Sequence, residues 1–390
     1  MFIAMPTTRI VKLRRSGMDL RRAGLAYHRL SRKWAVPLLR SLAELWDWRG
    51  YKHGAPNGAW LRSTSSVLAA VWLAAAFTAP AATIAESFTT NPLTRGWRVF
   101  GSTNLFAWDS TNQNLRVTWD SSQTNSYFYV PLGTILDRYD DFSLALDLEL
   151  LDIAAGIYTN KTFTFEMTFG FLNLVDATKT NFFRGNGGDS PNLVEFDFFP
   201  QAGTVAPTVW PAFWSTNSVL NYNGPNDYTL IDLPVGVVMR ITMNYTGSNQ
   251  TLVTSITTNG VSIGPIYSVK LSPTFTDFRA GAFAIESYSD AGQNPRYDGS
   301  LLAHGIVDNV LLTVPPPPVQ DLLGYFAASH WQVQFTSRTN WSYALEASAD
   351  LKSWTPVSQD AAGNGVSLIL ADTNTVFSRW QFYRVRAERP

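Results

Sequence analysis

Alternation of apolar and polar residues dominates the chain beyond residue 85. Residues 115–119, 142–148, 163–169, 238–245, 252–256, 282–286 and 306–312 place apolar side chains at every second position, or nearly so. A period of two marks a strand with one face in a core. No segment sustains a period of 3.6, so no core helix is expected. Asn-Gly steps at 186–187, 223–224, 259–260 and 364–365 separate the runs. Such steps supply the positive φ that tight turns need. Many short strands punctuated by turns predict an all-β fold over 86–314, a sandwich or a barrel, and a single unit of that length is normal for a jelly-roll β-sandwich.

Four consecutive prolines, Pro315 to Pro318, break the pattern. Such a run forms a stiff extended spacer, and we place a Pro-rich linker at 315–320. Alternation resumes at 330–335, 341–347, 367–370 and 382–386, which predicts a small β-sandwich over 321–390. A tail of about 70 residues lies near the lower limit for a core without disulfides. Trp331, Trp341, Trp354 and Trp380 are expected to supply that core.

Composition narrows the chemistry. The chain has no cysteine, which excludes disulfides, thiolate nucleophiles and cysteine metal sites. The overall charge of zero hides an asymmetry. Residues 1–62 carry 13 Lys and Arg against 3 Asp and Glu; from totals of 30 each, the remainder keeps 17 and 27. The acidic remainder offers no basic stripe of the kind nucleic acid requires. Residues 67–77 form an apolar run of 11 residues, preceded by Lys52 and Arg62 and followed by T-A-P-A-A-T-I-A at 78–85. This is the order of a secretory signal peptide. The run is shorter than the roughly 20 residues of a membrane span. We read 63–85 as the hydrophobic region and cleavage site, and 1–62 as a basic leader or an upstream start with the true start near Met18 or beyond. An uncleaved N-terminal anchor is the rival. The expected location is secreted or at the cell surface, with no stable membrane span after cleavage.

Residues 192–200, N-L-V-E-F-D-F-F-P, raise the main chemical question. On a strand, Glu195, Asp197 and Phe199 share one face, while Val194, Phe196 and Phe198 share the other. The second face is a core face. The first must be wet, metal-bound or catalytic, because an unpaired buried carboxylate costs several kcal/mol. Beyond residue 85 only His304 and His330 remain, in separate modules. A Ser-His-Asp triad or a multi-histidine zinc site is therefore hard to assemble.

The stretch G-G-D-S-P-N-L-V-E-F-D-F at 187–198 and the closing Asp308-Asn309 resemble the concanavalin A-like lectin and glucanase jelly rolls. In the lectins of that class a comparable Glu and Asp hold metal ions. In the family 16 hydrolases the strand carries a third acid, which serves as the acid/base. Here that place is taken by Phe199-Pro200, so the resemblance implies a lectin-like strand without the hydrolytic acid. It leaves open one Ca²⁺ held by Asp197, Asp189 and backbone carbonyls. The tail, through residues 343–354 and 382–386, resembles the small fibronectin type III-like modules of bacterial secreted proteins.

Aromatic residues follow the acid strand in T-V-W-P-A-F-W-S at 208–215. Glu195, Asp197, Asn192, Trp210 and Trp214 are the residues we expect to line a groove for an extracellular glycan. The plain alternative is that the tryptophans pack the sandwich and the acids form a solvated face. The expected function is non-catalytic carbohydrate binding. The rivals are a divergent glycoside hydrolase or lyase, with its acid from another strand such as Glu166 or Glu286, and a structural or adhesion protein of the cell surface.

Overall fold

The computed structural model describes residues 10–11, 81–161, 163–184, 190–203, 205–292, 298–373 and 381–390. The hydrophobic region of the expected signal peptide and Asp189 lie outside these. These described residues group into one compact unit.

The alternating runs become strands of an all-β jelly-roll sandwich. One sheet has seven strands, in the order Thr229–Leu230, Thr208–Trp214, Leu193–Phe199, Met167–Leu172, Ala280–Ser287, Ser126–Leu136, Arg98–Phe100. The second is larger and centres on two long strands, Phe142–Ala155 and Gly299–Val314. Between the sheets lie the residues that the alternation assigns to the core, including Val194, Phe196 and Phe198 from one sheet and Leu144, Leu146 and Ile241 from the other. Phe169 stacks on its cross-strand partner Phe196 at 4.8 Å, and Phe142 meets Phe171 edge-on at 5.1 Å across the layers. Asn259 and Gly260 adopt φ of 49° and 77°, closing the hairpin between Thr251–Thr258 and Val261–Ile263 as the turn chemistry requires.

Three expectations shift at their boundaries. The run at 163–169 is two strands, Phe163–Thr164 and Met167–Leu172, with Glu166 in the break between them. Asp308-Asn309 sits at a bulge of the long Gly299–Val314 strand. Asn309 is left-handed at φ 47°, and its amide donates to Asp147 at 2.8 Å. The sandwich also starts earlier than residue 86: Ala82–Glu86 is a strand paired with Val310 to Val314.

The tail folds around its own small core of Val333, Phe335, Trp341, Tyr343, Leu345 and Val385. Trp341 is the tryptophan that fills it. Trp331 packs at its margin, Trp354 lies under the Arg384 guanidinium at 4.4 Å, and Trp380 lies outside the described residues. The prolines do not leave the tail loose. Pro316 and Pro318 carbonyls accept from Arg338 and Tyr343. Arg389 pairs with Asp137 at 2.6 Å and Asp140 at 2.5 Å, and Arg338 pairs with Asp140 at 3.0 Å. Both arginines also lie 5.8 Å from the Trp341 ring centre.

Candidate functional site

The acid strand Leu193–Phe199 lies inside the seven-stranded sheet, between Met167–Leu172 and Thr208–Trp214. Register alignment puts Glu195 opposite Gly170 and Ala212, and Asp197 opposite Thr168 and Trp210. One strand further, Glu286 is opposite Thr168 and Tyr127. Directly paired residues share a face, so these side chains line the face turned away from the sandwich core. Gly170 has a local reason: a Cβ there would lie 2.4 Å from the Val194 carbonyl oxygen.

That face is not wet. Glu195 is 0% exposed and Asp197 1% exposed, which corrects the expectation of a solvated or groove-lining pair. Period-two alternation identifies the face but not what covers it. Of the connection after Met167–Leu172, residues 173–184 are held against this face and bring in Arg184. Its Nε and Nη2 donate to Glu195 at 3.1 and 2.7 Å, and Nη2 also donates to Asp197 at 2.9 Å. Glu166, in the strand break, stands 3.4 Å from Nε. Trp214 and Tyr288 lie 5.2 and 5.6 Å from the guanidinium carbon. The cover is fixed at several points: Tyr127 donates to the Ala177 carbonyl at 2.9 Å, and Asn125 donates to the Phe182 carbonyl at 3.0 Å.

Tyr288 joins the remaining acid. Its hydroxyl lies 2.5 Å from Glu195 Oε1 and is also hydrogen-bonded to Glu286. A phenol has one proton to donate. A chain in which protonated Glu286 donates to the Tyr288 oxygen, and Tyr288 donates to Glu195, satisfies both contacts. Burial, and then the negative charge of Glu195, raise Glu286 well above the ordinary carboxylate range. Burial likewise raises Asp197 well above it, against the pull of Arg184. Glu166 is pushed up to about 7 by burial, again opposed by Arg184. Arg184 stays charged, because the surrounding carboxylates outweigh its own burial. One buried cation thus stands among four carboxyl groups, most of which can stay neutral by keeping a proton.

The expected ligand-binding residues separate in space. Glu195, Asp197 and Trp214 meet around Arg184. Asn192 does not join them. It adopts φ 65°, donates to Asp176 at 2.7 Å, and accepts from the Arg279 backbone N–H at 2.8 Å, which makes it a turn brace. Trp214 is buried against the guanidinium rather than open to a ligand. Trp210, beside Asp197, is half-buried and leans on Tyr222 and Tyr228. The oxygens of Asp197 are engaged by the Arg184 guanidinium and the Thr168 hydroxyl. Among the described residues no cluster of three or more His, Asp or Glu is arranged to hold a metal ion. Arg184 and Tyr288 carry no sequence signal for this role: a lone Arg before a Gly-rich loop and a Tyr after a strand are unremarkable in type and spacing. Glu166 and Glu286 are drawn to Glu195 as the acid-from-another-strand rival requires, but in a closed interior rather than across a cleft.

No family model matches the chain, and no curated protein matches it. Among solved structures, the alginate lyase Aly36B is similar over 59% of this chain and 96% of its own, at 12% identity and a TM-score of 0.35. Lectin II from Ulex europaeus is similar over 60% of this chain and 99% of its own, at 10% identity and a TM-score of 0.41. Winged bean acidic lectin, complexed with methyl-alpha-D-galactose, is similar over 60% of this chain and 99% of its own, at 13% identity and a TM-score of 0.36. The assignment of an all-β jelly-roll sandwich rests on the strand order and register of the chain itself.

Proposed function

We propose that the protein is an exported, non-catalytic glycan-binding protein whose acid strand is a structural brace and whose ligand contacts are aromatic. The observation that carries the reading is the burial of Glu195, Asp197 and Glu286, at 0–1% exposure, with the Arg184 guanidinium on the oxygens of Glu195 and Asp197 and the Tyr288 hydroxyl on Glu286. A general acid must reach the proton it transfers, and retaining hydrolysis needs two carboxyl groups flanking the scissile bond. A face filled by Arg184, Trp214 and Tyr288 admits no sugar ring. Exposed and half-exposed aromatic residues at the outer edge of the sheet remain available. Export follows from the leader and the apolar run at 67–77. The strand start at Ala82 favours cleavage after A-P-A, residues 79–81, because cleavage after Ala85 removes most of Ala82–Glu86. The tail serves as a fibronectin type III-like module held against the sandwich.

The test is retardation of the protein in gels containing soluble polysaccharides, paired with assays for reducing ends and for unsaturated products. The expected result is retardation by at least one polysaccharide without product. Product release from any of them overturns the non-catalytic reading.

One observation favours a second reading, that of a glycoside hydrolase or lyase. Glu195, Glu286 and Tyr288 are hydrogen-bonded, and a protonated carboxyl beside a charged one is the makeup of an acid/base pair. This reading requires the cover bearing Arg184 to open. It predicts turnover that Glu286→Gln abolishes.

A further inference from the structure

Outside the sealed acid cluster, three aromatic side chains meet at the edge of the seven-stranded sheet. Trp210 comes from Thr208–Trp214, and Tyr222 and Tyr228 come from the connection leading to the edge strand Thr229–Leu230. The Tyr222 and Tyr228 ring centres lie 6.1 and 5.9 Å from that of Trp210, at interplanar angles of 59° and 53°. The rings therefore form an angled corner rather than a flat stack. Tyr222 is 54% exposed, while Trp210 and Tyr228 are half-buried. Neither tyrosine hydroxyl has a hydrogen-bond partner among the described residues.

We propose that this corner is a binding subsite for a neutral hexopyranose unit of a polysaccharide, an assignment that rests on the glycan-binding reading above. A pyranose presents C–H groups on its faces and hydroxyls at its rim. Tyrosine and tryptophan match that pattern with a flat apolar face and a polar handle. They also lose little rotamer freedom on binding. The backbone beneath the rings is fixed before any ligand arrives. Asn221 accepts from the Ser272 backbone N–H at 2.8 Å, and the Asn221 and Asn223 amides both donate to the Lys270 carbonyl, at 3.2 and 2.8 Å. The buried Asp227 carboxylate accepts from the Asn223 backbone N–H. A prearranged surface gives up less free energy in ordering when it binds.

The charge of this segment selects the ligand class. Residues 221–228, N-Y-N-G-P-N-D-Y, contain no Lys or Arg, and their one acid is buried. Recognition of a uronic acid carboxylate relies on charge-assisted donors, above all arginine; residues 221–228 have none, and the neighbouring cation is a single exposed lysine, Lys270. Its exposed polar side chains, Asn223 and Asn226, are neutral amides suited to hydroxyls. The corner lies at the sheet edge, so a polymer can pass over it without entering the closed acid face.

Gel retardation of the full chain tests the assignment, with a panel of neutral glucans, galactans, mannans and xylans beside the polyuronates alginate and polygalacturonate. The expected result is retardation by a neutral hexose polymer, weakened roughly tenfold or more in Tyr222→Ala and in Tyr228→Ala, a change worth about 1.4 kcal/mol. Because Tyr222 is exposed, its variant should melt with the wild type, which keeps loss of binding distinct from loss of fold. Retardation by neutral polymers that both variants retain overturns the subsite but leaves the glycan reading standing. Retardation by polyuronates alone overturns the ligand class. A wild-type protein that no polysaccharide retards overturns the glycan reading, and the subsite with it.

Discussion

Arg184→Met is the most informative single perturbation of the acid cluster. Arg184 is 3% exposed, and its guanidinium donates three hydrogen bonds to Glu195 and Asp197 and faces Glu166 at 3.4 Å. Methionine keeps much of the apolar stem against Trp214 and Tyr288 but removes the charge. Breaking a buried pair by deleting one partner costs about 3–5 kcal/mol, because the other charge is left uncompensated. For a domain of roughly this size, 1 kcal/mol moves the melting temperature by about 2–4 °C, so the expected loss is about 6–20 °C. Thermal unfolding followed by circular dichroism measures it. The loss should shrink at about pH 5 relative to about pH 8, since carboxyl groups that no longer meet a cation can be neutralised by protons. Arg184→Lys should fall between the two, because an ammonium lacks the planar fork that reaches two carboxylates. A Met variant melting within about 2 °C of wild type at about pH 8 refutes the counter-ion role.

Other consequences are open to separate measurement. The Glu166 carboxyl, pushed up to about 7, binds its proton more tightly folded than unfolded. It therefore contributes stability that is full below about pH 4.5 and is lost as pH rises through about 7. Wild type should lose stability relative to Glu166→Gln across that window, by on the order of 3 kcal/mol at the upper end; parallel curves in chemical denaturation contradict the shift. Gly170→Ala forces a Cβ to within 2.4 Å of the Val194 carbonyl oxygen and should cost about 1–3 kcal/mol as overpacking does; an unchanged denaturation midpoint rules the close approach out. Asp140→Ala removes the acceptor shared by Arg338 and Arg389, so calorimetry should show the tail melting before the sandwich, whereas one unchanged transition denies the joint its role. Under the proposed export, N-terminal sequencing of the secreted product should give Ala82 as the first residue, and a start at Thr83 or later contradicts the assigned cleavage point.

Much of this architecture was legible in the chain because one sheet face after another obeys a period of two. Phe142, Leu144, Leu146 and Leu148 fall on the core side as their spacing requires. The same rule placed Val194, Phe196 and Phe198 inside and set Glu195 and Asp197 opposite them. It failed at what lies beyond the sheet. Whether an outward face is wet depends on a connection that alternation does not describe, and here Arg184 arrives from 11 residues upstream to balance the acids. The convergence of Glu166, Glu286 and Tyr288 on Glu195 is a matter of strand order, Leu193–Phe199 beside Met167–Leu172 beside Ala280–Ser287. Strand order comes from long-range pairing and leaves no mark in local spacing. Tryptophan counts misled for a related reason: Trp341 fills the tail core and Trp354 covers an arginine, yet the two look alike in sequence.

The central claim is that the acid cluster holds the sheet together and does no chemistry on a glycan. Polysaccharide retardation and product release, measured side by side for wild type and Glu286→Gln, test it most directly. The account predicts that both proteins are retarded equally and that neither releases product. Depolymerisation by the wild type that Glu286→Gln abolishes, with binding retained, contradicts it and assigns the buried carboxyl to catalysis.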